Sequence, residues 1–135
     1  MVKNPQIRIP IIISLGAIAG VLCRYYIGLW LLQNFETKFP IDIFLINISG
    51  CFLMGFLSTI LARKYPLHPE LVLLLITGFL GTYTTFSTYE LNTAVNLNNI
   101  YRDLLYWVGS PIIGLFCLEI GIKLAQITLS IKSRS

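Results

Sequence analysis

Long runs of apolar residues, separated by short polar segments, make up most of the chain. Four runs, roughly 10–32, 41–62, 71–95 and 104–131, each reach the length of about 20 residues that an α-helix needs to cross the hydrocarbon core of a bilayer. This pattern predicts an all-α integral membrane protein with four transmembrane helices. The segments between the runs are short, so we expect a single four-helix domain that covers 1–135.

Composition and charge agree with a membrane protein. The chain of 135 residues is 56% hydrophobic and 12% charged, whereas a soluble domain usually carries roughly 25% charged residues. The net charge of +4 does not indicate binding to nucleic acid, because most basic residues lie near the termini and in one loop, as at the cytoplasmic flanks of membrane helices. The sequence therefore predicts that the chain is embedded in a lipid bilayer and does not bind nucleic acid.

Residues that usually carry catalysis or bind a metal through side chains are sparse. His68 is the single histidine and lies in a loop between two prolines. Cys23, Cys51 and Cys117 fall inside separate predicted helices, where we interpret them as small apolar packing residues. This set does not make a zinc site, and the sequence contains no nucleophile motif or phosphate loop. The sequence therefore does not predict an enzyme.

The third apolar run has an unusual centre. The stretch 78–89 contains two glycines, four threonines, one serine and four aromatic residues. Glycine and β-branched threonine weaken a helix. Inside a bilayer, backbone groups freed by a break must find partners or line a cavity. Two interpretations stay open here: a helix broken near the middle of the membrane, or an intact helix whose hydroxyl groups bond to carbonyls one turn earlier.

Small residues recur along the other helices and predict close helix packing. Gly16 and Gly20 form a small-xxx-small pair in the first helix, Gly50 and Gly55 lie in the second, and Gly109, Gly114 and Gly121 lie in the fourth. Each glycine is as well suited to packing within the chain as to a subunit interface. A bundle of four helices encloses little interior, so we expect the chain to oligomerise.

Three segments resemble motifs of one membrane protein family. The segment GFLGTYTTFSTYE, at 78–90, resembles the signature of the CrcB or Fluc fluoride channels. The segment 20–25, with Arg24, and the segment 47–55, of the pattern NxxGxFxxG, are similar to two further motifs of that family. The resemblance implies an antiparallel dimer with two fluoride pores and a central structural sodium ion. It also implies passive export of fluoride, which lowers the cytoplasmic fluoride concentration.

The resemblance also implies roles for individual residues. A fluoride pathway must replace tightly bound water, and amide N–H groups, hydroxyls and the positive edges of aromatic rings are suitable for this. The predicted pathway residues are Asn47, Phe86, Tyr89, Tyr106 and Ser110. By resemblance, the main-chain carbonyls of Gly81 and Thr84 bind sodium, and glycine at position 81 would permit the dihedral angles of an unwound turn. Arg24 either attracts anions to the pore vestibule or extends to the lipid headgroups.

Some positions depart from the family pattern. Tyr89 stands where the family usually has phenylalanine, and its hydroxyl adds a hydrogen-bond donor. Asn92 stands where a glutamate is common, and the nearest carboxylate is that of Glu90. Gly114 stands where the family often shows a further hydroxyl, one turn beyond Ser110. These departures leave open whether both pores of a homodimer would be competent.

Two other functions fit a small four-helix membrane protein. A proton-coupled efflux transporter of the small multidrug type needs a carboxylate inside the membrane, for which Glu90 and Glu119 are the candidates. A non-conducting scaffold would not need the polar cluster at 82–88. Passive, fluoride-selective flux would distinguish the channel from both.

Basic residues predict the orientation of the chain in a bacterial plasma (inner) membrane. With four helices, both termini lie on the side of the loop between the second and third helices. That side carries Lys3, Arg8, Arg63, Lys64, Lys132 and Arg134, whereas the other side carries Lys38 and Arg102. Basic flanks favour the cytoplasm, so both termini are expected inside. The chain pairs either with itself or with a related chain of opposite bias.

Overall fold

The computed structural model describes residues 4–35, 39–64, 69–95 and 100–132, and these residues are helical almost throughout. The helices are α1 (Pro5–Asn34), α2 (Ile41–Lys64), α3 (Pro69–Val72), a π-helical stretch (Leu73–Leu80), α4 (Gly81–Tyr83), α5 (Ser87–Val95) and α6 (Ile100–Lys132). Four spans are long and apolar enough to cross a membrane: Pro5–Asn34, Ile41–Arg63, Pro69–Leu91 and Asp103–Ile131. The prediction of four such helices is confirmed. Lys3, Lys38, His68 and Arg134 lie outside the described residues.

The glycines of α1 bring this helix against the third span. A β-carbon added to Gly16 would lie 3.0 Å from the amide nitrogen of Phe79 and 3.1 Å from the α-carbon of Gly78, so no side chain fits there. A β-carbon on Gly20 would collide with the Phe79 carbonyl and the hydroxyl of Thr82. The small-xxx-small pair therefore serves packing within the chain.

A second close contact joins α2 to α6. A β-carbon on Gly121 would lie 3.0 Å from the amide nitrogen of Phe56, and one on Gly55 would lie 3.0 Å from the carbonyl carbon of Leu118. Backbones that approach this closely gain van der Waals contact along much of their length. The contact fixes the two helices between which the candidate site lies.

The helical path of the third span ends at Tyr83 and resumes at Ser87. Thr84 has an extended backbone, with φ −75° and ψ 152°. Gly81 instead has right-handed helical angles, φ −62° and ψ −27°, and no described residue has a positive φ. The expectation that Gly81 takes up unusual dihedral angles is therefore wrong, because the helix continues to Tyr83.

Threonine hydroxyls support the helix that leads to this interruption. The hydroxyl of Thr82 donates to the Gly78 carbonyl at 2.8 Å, and that of Thr84 donates to the Leu80 carbonyl at 3.0 Å. Thr82 also lies 3.0 Å from the carbonyl of Ala17 on α1. Hydrogen bonds from hydroxyls to carbonyls one turn earlier, which one interpretation of this span expected, are therefore present at Thr82 and Thr84.

Few side chains are buried inside the chain. One buried cluster contains Ile46, Leu80 and Tyr83, and the other contains Ile43, Tyr89 and Tyr106. Large apolar side chains are exposed along α1 and α6. Such surfaces suit contact with lipid tails or with another apolar protein surface, rather than with water.

Candidate functional site

An open cavity of about 330 Å³ lies where the interruption of the third span faces α2 and α6. Its wall is formed by Asn47, Gly50, Cys51, Met54, Thr84, Thr85, Phe86, Tyr89, Ser110, Pro111, Gly114 and Leu118. Four of the five residues predicted for the pathway, Asn47, Phe86, Tyr89 and Ser110, therefore line one cavity. Tyr106 is not among the wall residues.

The Asn47 side chain holds the interrupted backbone. Its Oδ1 accepts a hydrogen bond from the Thr85 amide at 2.9 Å, and its Nδ2 donates to the Thr85 carbonyl at 3.1 Å. A peptide group outside a helix needs both kinds of partner when water is excluded. Asn47 supplies both, and Nδ2 keeps one further N–H.

Thr85 in turn begins the next helix. Its hydroxyl oxygen accepts from the amide of Thr88 at 3.3 Å, the arrangement of an N-terminal cap, and its hydroxyl lies 3.1 Å from the Thr88 hydroxyl. Thr85 is buried, and the Glu90 amide donates to the Phe86 carbonyl at 2.9 Å. Local hydrogen bonds therefore replace much of the helical bonding lost between 83 and 87.

The interruption also changes the surroundings of the Gly81 carbonyl. In a continuous α-helix the Thr85 amide would donate to Gly81, but here it donates to Asn47. Gly81 is exposed on the surface of the chain, whereas Thr84 lines the cavity and its methyl group lies beside Gly50. Of the two residues predicted to bind sodium, Gly81 is therefore exposed, and Thr84 lines the cavity.

Aromatic rings form one side of the cavity. Phe86 is 74% exposed, and its ring centroid lies 5.8 Å from that of Tyr89. Tyr89 is buried, with Tyr106 behind it at 5.1 Å, and Tyr106 contacts Phe39 edge-on at 5.3 Å. The structure therefore brings Phe86 and Tyr89 to the wall and places Tyr106 behind Tyr89, in the packing that supports it.

Cys51 and Met54 belong to the wall, although they were not predicted as site residues. They follow Asn47 by four and seven residues on α2, so all three lie on one helix face. A β-carbon on Gly114 would lie 3.2 Å from the Cys51 sulfur. The helical spacing from Asn47 was the signal that could have identified Cys51 as a wall residue.

The charged residues considered from the sequence lie away from the wall. Arg24 is half-buried on α1, and no described acidic side chain pairs with it. Glu119 faces outward on α6, 61% exposed and 3.8 Å from Lys123. Glu90 is not a wall residue either. Hydroxyls, an amide, a thiol and ring edges therefore provide the polar character of the cavity, without a carboxylate.

A second hollow, of about 490 Å³, is lined mainly by apolar side chains of α1, α2 and α6. Its polar groups already have partners: the Ser49 and Tyr83 hydroxyls lie 2.9 Å apart, and Ser49 donates to the Ile46 carbonyl at 3.0 Å. Within the described ranges, no group of histidine, cysteine, aspartate or glutamate side chains could hold a metal ion. The first cavity is therefore the better candidate for an ion.

Comparison with known proteins agrees with the resemblance seen in the motifs. Residues 11–122 match the family described as CrcB-like protein, Camphor Resistance (CrcB). A protein of Trichormus variabilis named fluoride-specific ion channel FluC is 48% identical over 130 residues, which cover 94% of this chain and 95% of the relative. Proteins of the same name from Synechococcus sp. and Synechocystis sp. are 43% and 41% identical, over 92% and 90% of this chain and 97% and 95% of theirs.

These relatives are ion channels by name, which confirms the expectation of a protein that is not an enzyme. They also agree with the four apolar spans in indicating a multi-pass membrane protein. The family match covers most of the chain, including the cavity wall from Asn47 to Leu118. The chain therefore belongs to the CrcB family of fluoride-specific ion channels.

Proposed function

We propose that this chain forms a passive, fluoride-selective channel that exports fluoride and lowers its cytoplasmic concentration. The observation that carries the proposal is the cavity at the interruption of the third span, on which Asn47, Phe86, Tyr89 and Ser110 meet. The names of the relatives support the same ion. A proton-coupled transporter is not favoured, because the cavity wall has no carboxylate that could exchange protons for a substrate.

Fluoride would be held by dipoles in place of its water. The free N–H of Asn47 and the Ser110 hydroxyl are donors, and the edges of the Phe86 and Tyr89 rings carry partial positive charge. Weak contacts spread over several groups let an ion enter and leave, whereas a fixed positive side chain would retain the ion. A wall of neutral groups is therefore suited to conduction of a small anion.

The exposure of Phe86 supports a pathway completed by a second subunit. A phenylalanine that is 74% exposed at the mouth of the cavity leaves one side of the pathway open in a single chain. Pairing two chains in antiparallel orientation would cover both cavities and give two pathways. The partner is either a second copy or a related chain, in the plasma membrane of a bacterium, with both termini of this chain inside.

A structural sodium ion at the dimer centre is part of the proposal. Gly81 and Thr84 would hold it through main-chain carbonyls, and two subunits would supply four oxygens, the ligand type that hard cations prefer. Two observations are compatible with this role. The Thr85 amide is directed to Asn47 and leaves the Gly81 carbonyl without that donor, and Gly81 is exposed. When bound, the ion would supply positive charge that joins the two subunits.

Flux from liposomes tests the proposal. Purified protein is reconstituted in vesicles loaded with fluoride or chloride, and release is followed with an ion-selective electrode under a potassium–valinomycin potential. We expect fast fluoride release, little chloride release and no dependence on an imposed proton gradient. Uptake of cationic drugs driven by protons would support the transporter instead. Absence of flux in a folded, dimeric protein would support the scaffold and overturn the channel.

A further inference from the structure

Pro111 creates a defect in α6 beside the cavity. Proline has no backbone N–H, so the carbonyl of Trp107, four residues earlier, lacks its α-helical donor, and the proline ring also crowds that carbonyl. Both residues lie in the membrane span Asp103–Ile131. An unpaired carbonyl within a membrane span is unfavourable, because lipid offers no donor.

The hydroxyl of Tyr89 donates a hydrogen bond to this carbonyl of Trp107. Tyr89 lies on α5, so the bond joins α5 to α6, two of the helices that line the cavity, at the position where Pro111 removes a backbone donor. Pro10 in α1 produces the same defect at the Gln6 carbonyl, but Gln6 is exposed in the first helical turn, where water and headgroups are available. The Trp107 carbonyl beside the cavity, unlike that of Gln6, therefore receives a hydrogen bond from a side chain of the protein itself.

This bond determines what Tyr89 presents to the cavity. The hydroxyl proton points to Trp107 and is not available to an anion, so the ring is the part of Tyr89 that forms the wall. The ring is held at its far end by the hydroxyl and along its faces by Tyr106 and Phe86. A phenylalanine in the same place would lose the anchor and leave the Trp107 carbonyl without this donor.

We propose that the Tyr89 hydroxyl substitutes for the N–H that Pro111 lacks, which makes Tyr89 a positioning residue that fixes α5 and its ring against α6. The hydroxyl acts on the protein backbone and not on the ion. The consequence for flux rests on the proposed channel function, whereas the bond itself does not.

A double-mutant cycle tests this coupling. Tyr89→Phe, Pro111→Ala and the double variant are compared with the unaltered chain in fluoride flux and in thermal unfolding midpoint in detergent. We expect Tyr89→Phe alone to lower flux by about tenfold and to lower the midpoint, because the Trp107 carbonyl loses its hydrogen-bond donor. In the Pro111→Ala background, the substituted alanine supplies the helical N–H, so Tyr89→Phe should change flux by less than about twofold. Tyr101→Phe, which removes the hydroxyl of a tyrosine that is 79% exposed, is the matched control.

The outcome overturns the proposal if Tyr89→Phe lowers flux equally in both backgrounds, since the hydroxyl would then act on the ion. An unchanged flux and midpoint in both backgrounds would equally overturn it. If the unaltered chain conducts no fluoride, the channel function fails separately, and the unfolding midpoints still decide whether Tyr89 and Pro111 are coupled.

Infrared spectroscopy gives a direct readout that does not depend on flux or on the Pro111→Ala protein. The chain has two tryptophans, so carbonyl-labelled tryptophan in a Trp30→Phe background marks the Trp107 carbonyl alone. We expect Tyr89→Phe to shift the labelled band to higher wavenumber, because the carbonyl loses a donor, while Tyr101→Phe leaves it in place. An unshifted band in the Tyr89→Phe protein would overturn the proposal.

Discussion

At the residue scale, three side chains of the cavity wall differ in what they contact. Asn47 pairs with both polar groups of the Thr85 backbone, Tyr89 is fixed by its hydroxyl, and Phe86 is the exposed ring. Ser110 is buried on α6 and follows Tyr106 by four residues. A substitution can therefore remove a contact with the ion, or remove a support of the wall, and the two effects are measurable separately.

Phe86 is the residue for which a direct effect on the ion is clearest. Phe86→Ile keeps much of the apolar volume and removes the positive ring edge, so fluoride flux should fall by about tenfold or more while the dimer persists. Phe116→Ile is the control, since Phe116 is similarly exposed on α6 and does not line the cavity. Liposome flux and size-exclusion chromatography measure the two properties. Unchanged flux in folded Phe86→Ile protein would remove the aromatic edge from the mechanism.

Asn47 is the residue for which a support role is clearest. Asn47→Ala removes both partners of the buried Thr85 backbone, a loss of about 1–3 kcal/mol for each unsatisfied group. Amide hydrogens at 84–88 should then exchange with deuterium at least about tenfold faster, because the segment opens more often. The control is Ser49→Ala, on the same helix as Asn47. It removes the hydrogen bond between the Ser49 and Tyr83 hydroxyls and should leave the exchange at 84–88 unchanged. Equal exchange in Asn47→Ala and unaltered protein would contradict the support role.

At the element scale, glycine positions determine how the helices meet. Gly16→Ala would place a methyl group against the backbone of Leu74 and Phe79, so α1 must move away from the third span. We expect a loss of about 1–3 kcal/mol in stability, seen as a lower unfolding midpoint in detergent. Gly109 has no atom of the chain within 4 Å of an added β-carbon, and Gly109→Ala should be neutral or stabilising. Similar midpoints for the two variants would show that the close approach of α1 contributes little.

The same scale shows what the sequence could and could not predict. The four spans followed from the length of the apolar runs, since a bilayer sets the minimum length of a crossing helix. The cavity residues Phe86 and Tyr89 followed from a motif. The end of the helix at Tyr83 did not follow from glycine content, because Gly81 is helical and the ending depends on a bond from Thr85 to Asn47, 38 residues away. Long-range partners of this kind have no local signal.

Tyr106 is the one predicted pathway residue that does not line the cavity. It was predicted as a pathway residue because its hydroxyl is a donor, and its spacing of four residues from Ser110 places both side chains on one face of α6. In the structure the Tyr106 ring packs against that of Tyr89, and of the two residues on this face of α6 only Ser110 lines the cavity. Spacing identifies a helix face, but the residues of a neighbouring helix decide which part of that face remains open.

At the scale of the whole molecule, the orientation of the chain decides its partner. An ion pair between Arg8 and Glu70 joins the beginning of α1 to the beginning of α3, as expected when both lie at the same membrane surface. Six basic residues flank the spans on that side, Lys3, Arg8, Arg63, Lys64, Lys132 and Arg134, against Lys38 and Arg102 on the other. Arg24 and Lys123 are not counted because they lie well inside the apolar runs 10–32 and 104–131, away from the ends of these runs. Such an excess favours one orientation, with the termini inside.

An antiparallel homodimer needs the same chain to insert in both orientations in similar amounts, which calls for little charge bias. We therefore predict that this chain pairs with a related chain of opposite bias, and that the partner supplies the hydroxyl that is absent at Gly114. The test is to tag the C-terminus and to measure its side of the membrane when the chain is expressed alone and together with its candidate partner. We expect an inside C-terminus in both cases, and a larger fluoride flux across the cell membrane when both chains are expressed than when this chain is expressed alone. Equal inside and outside populations, together with full flux from the chain alone, would instead establish the homodimer.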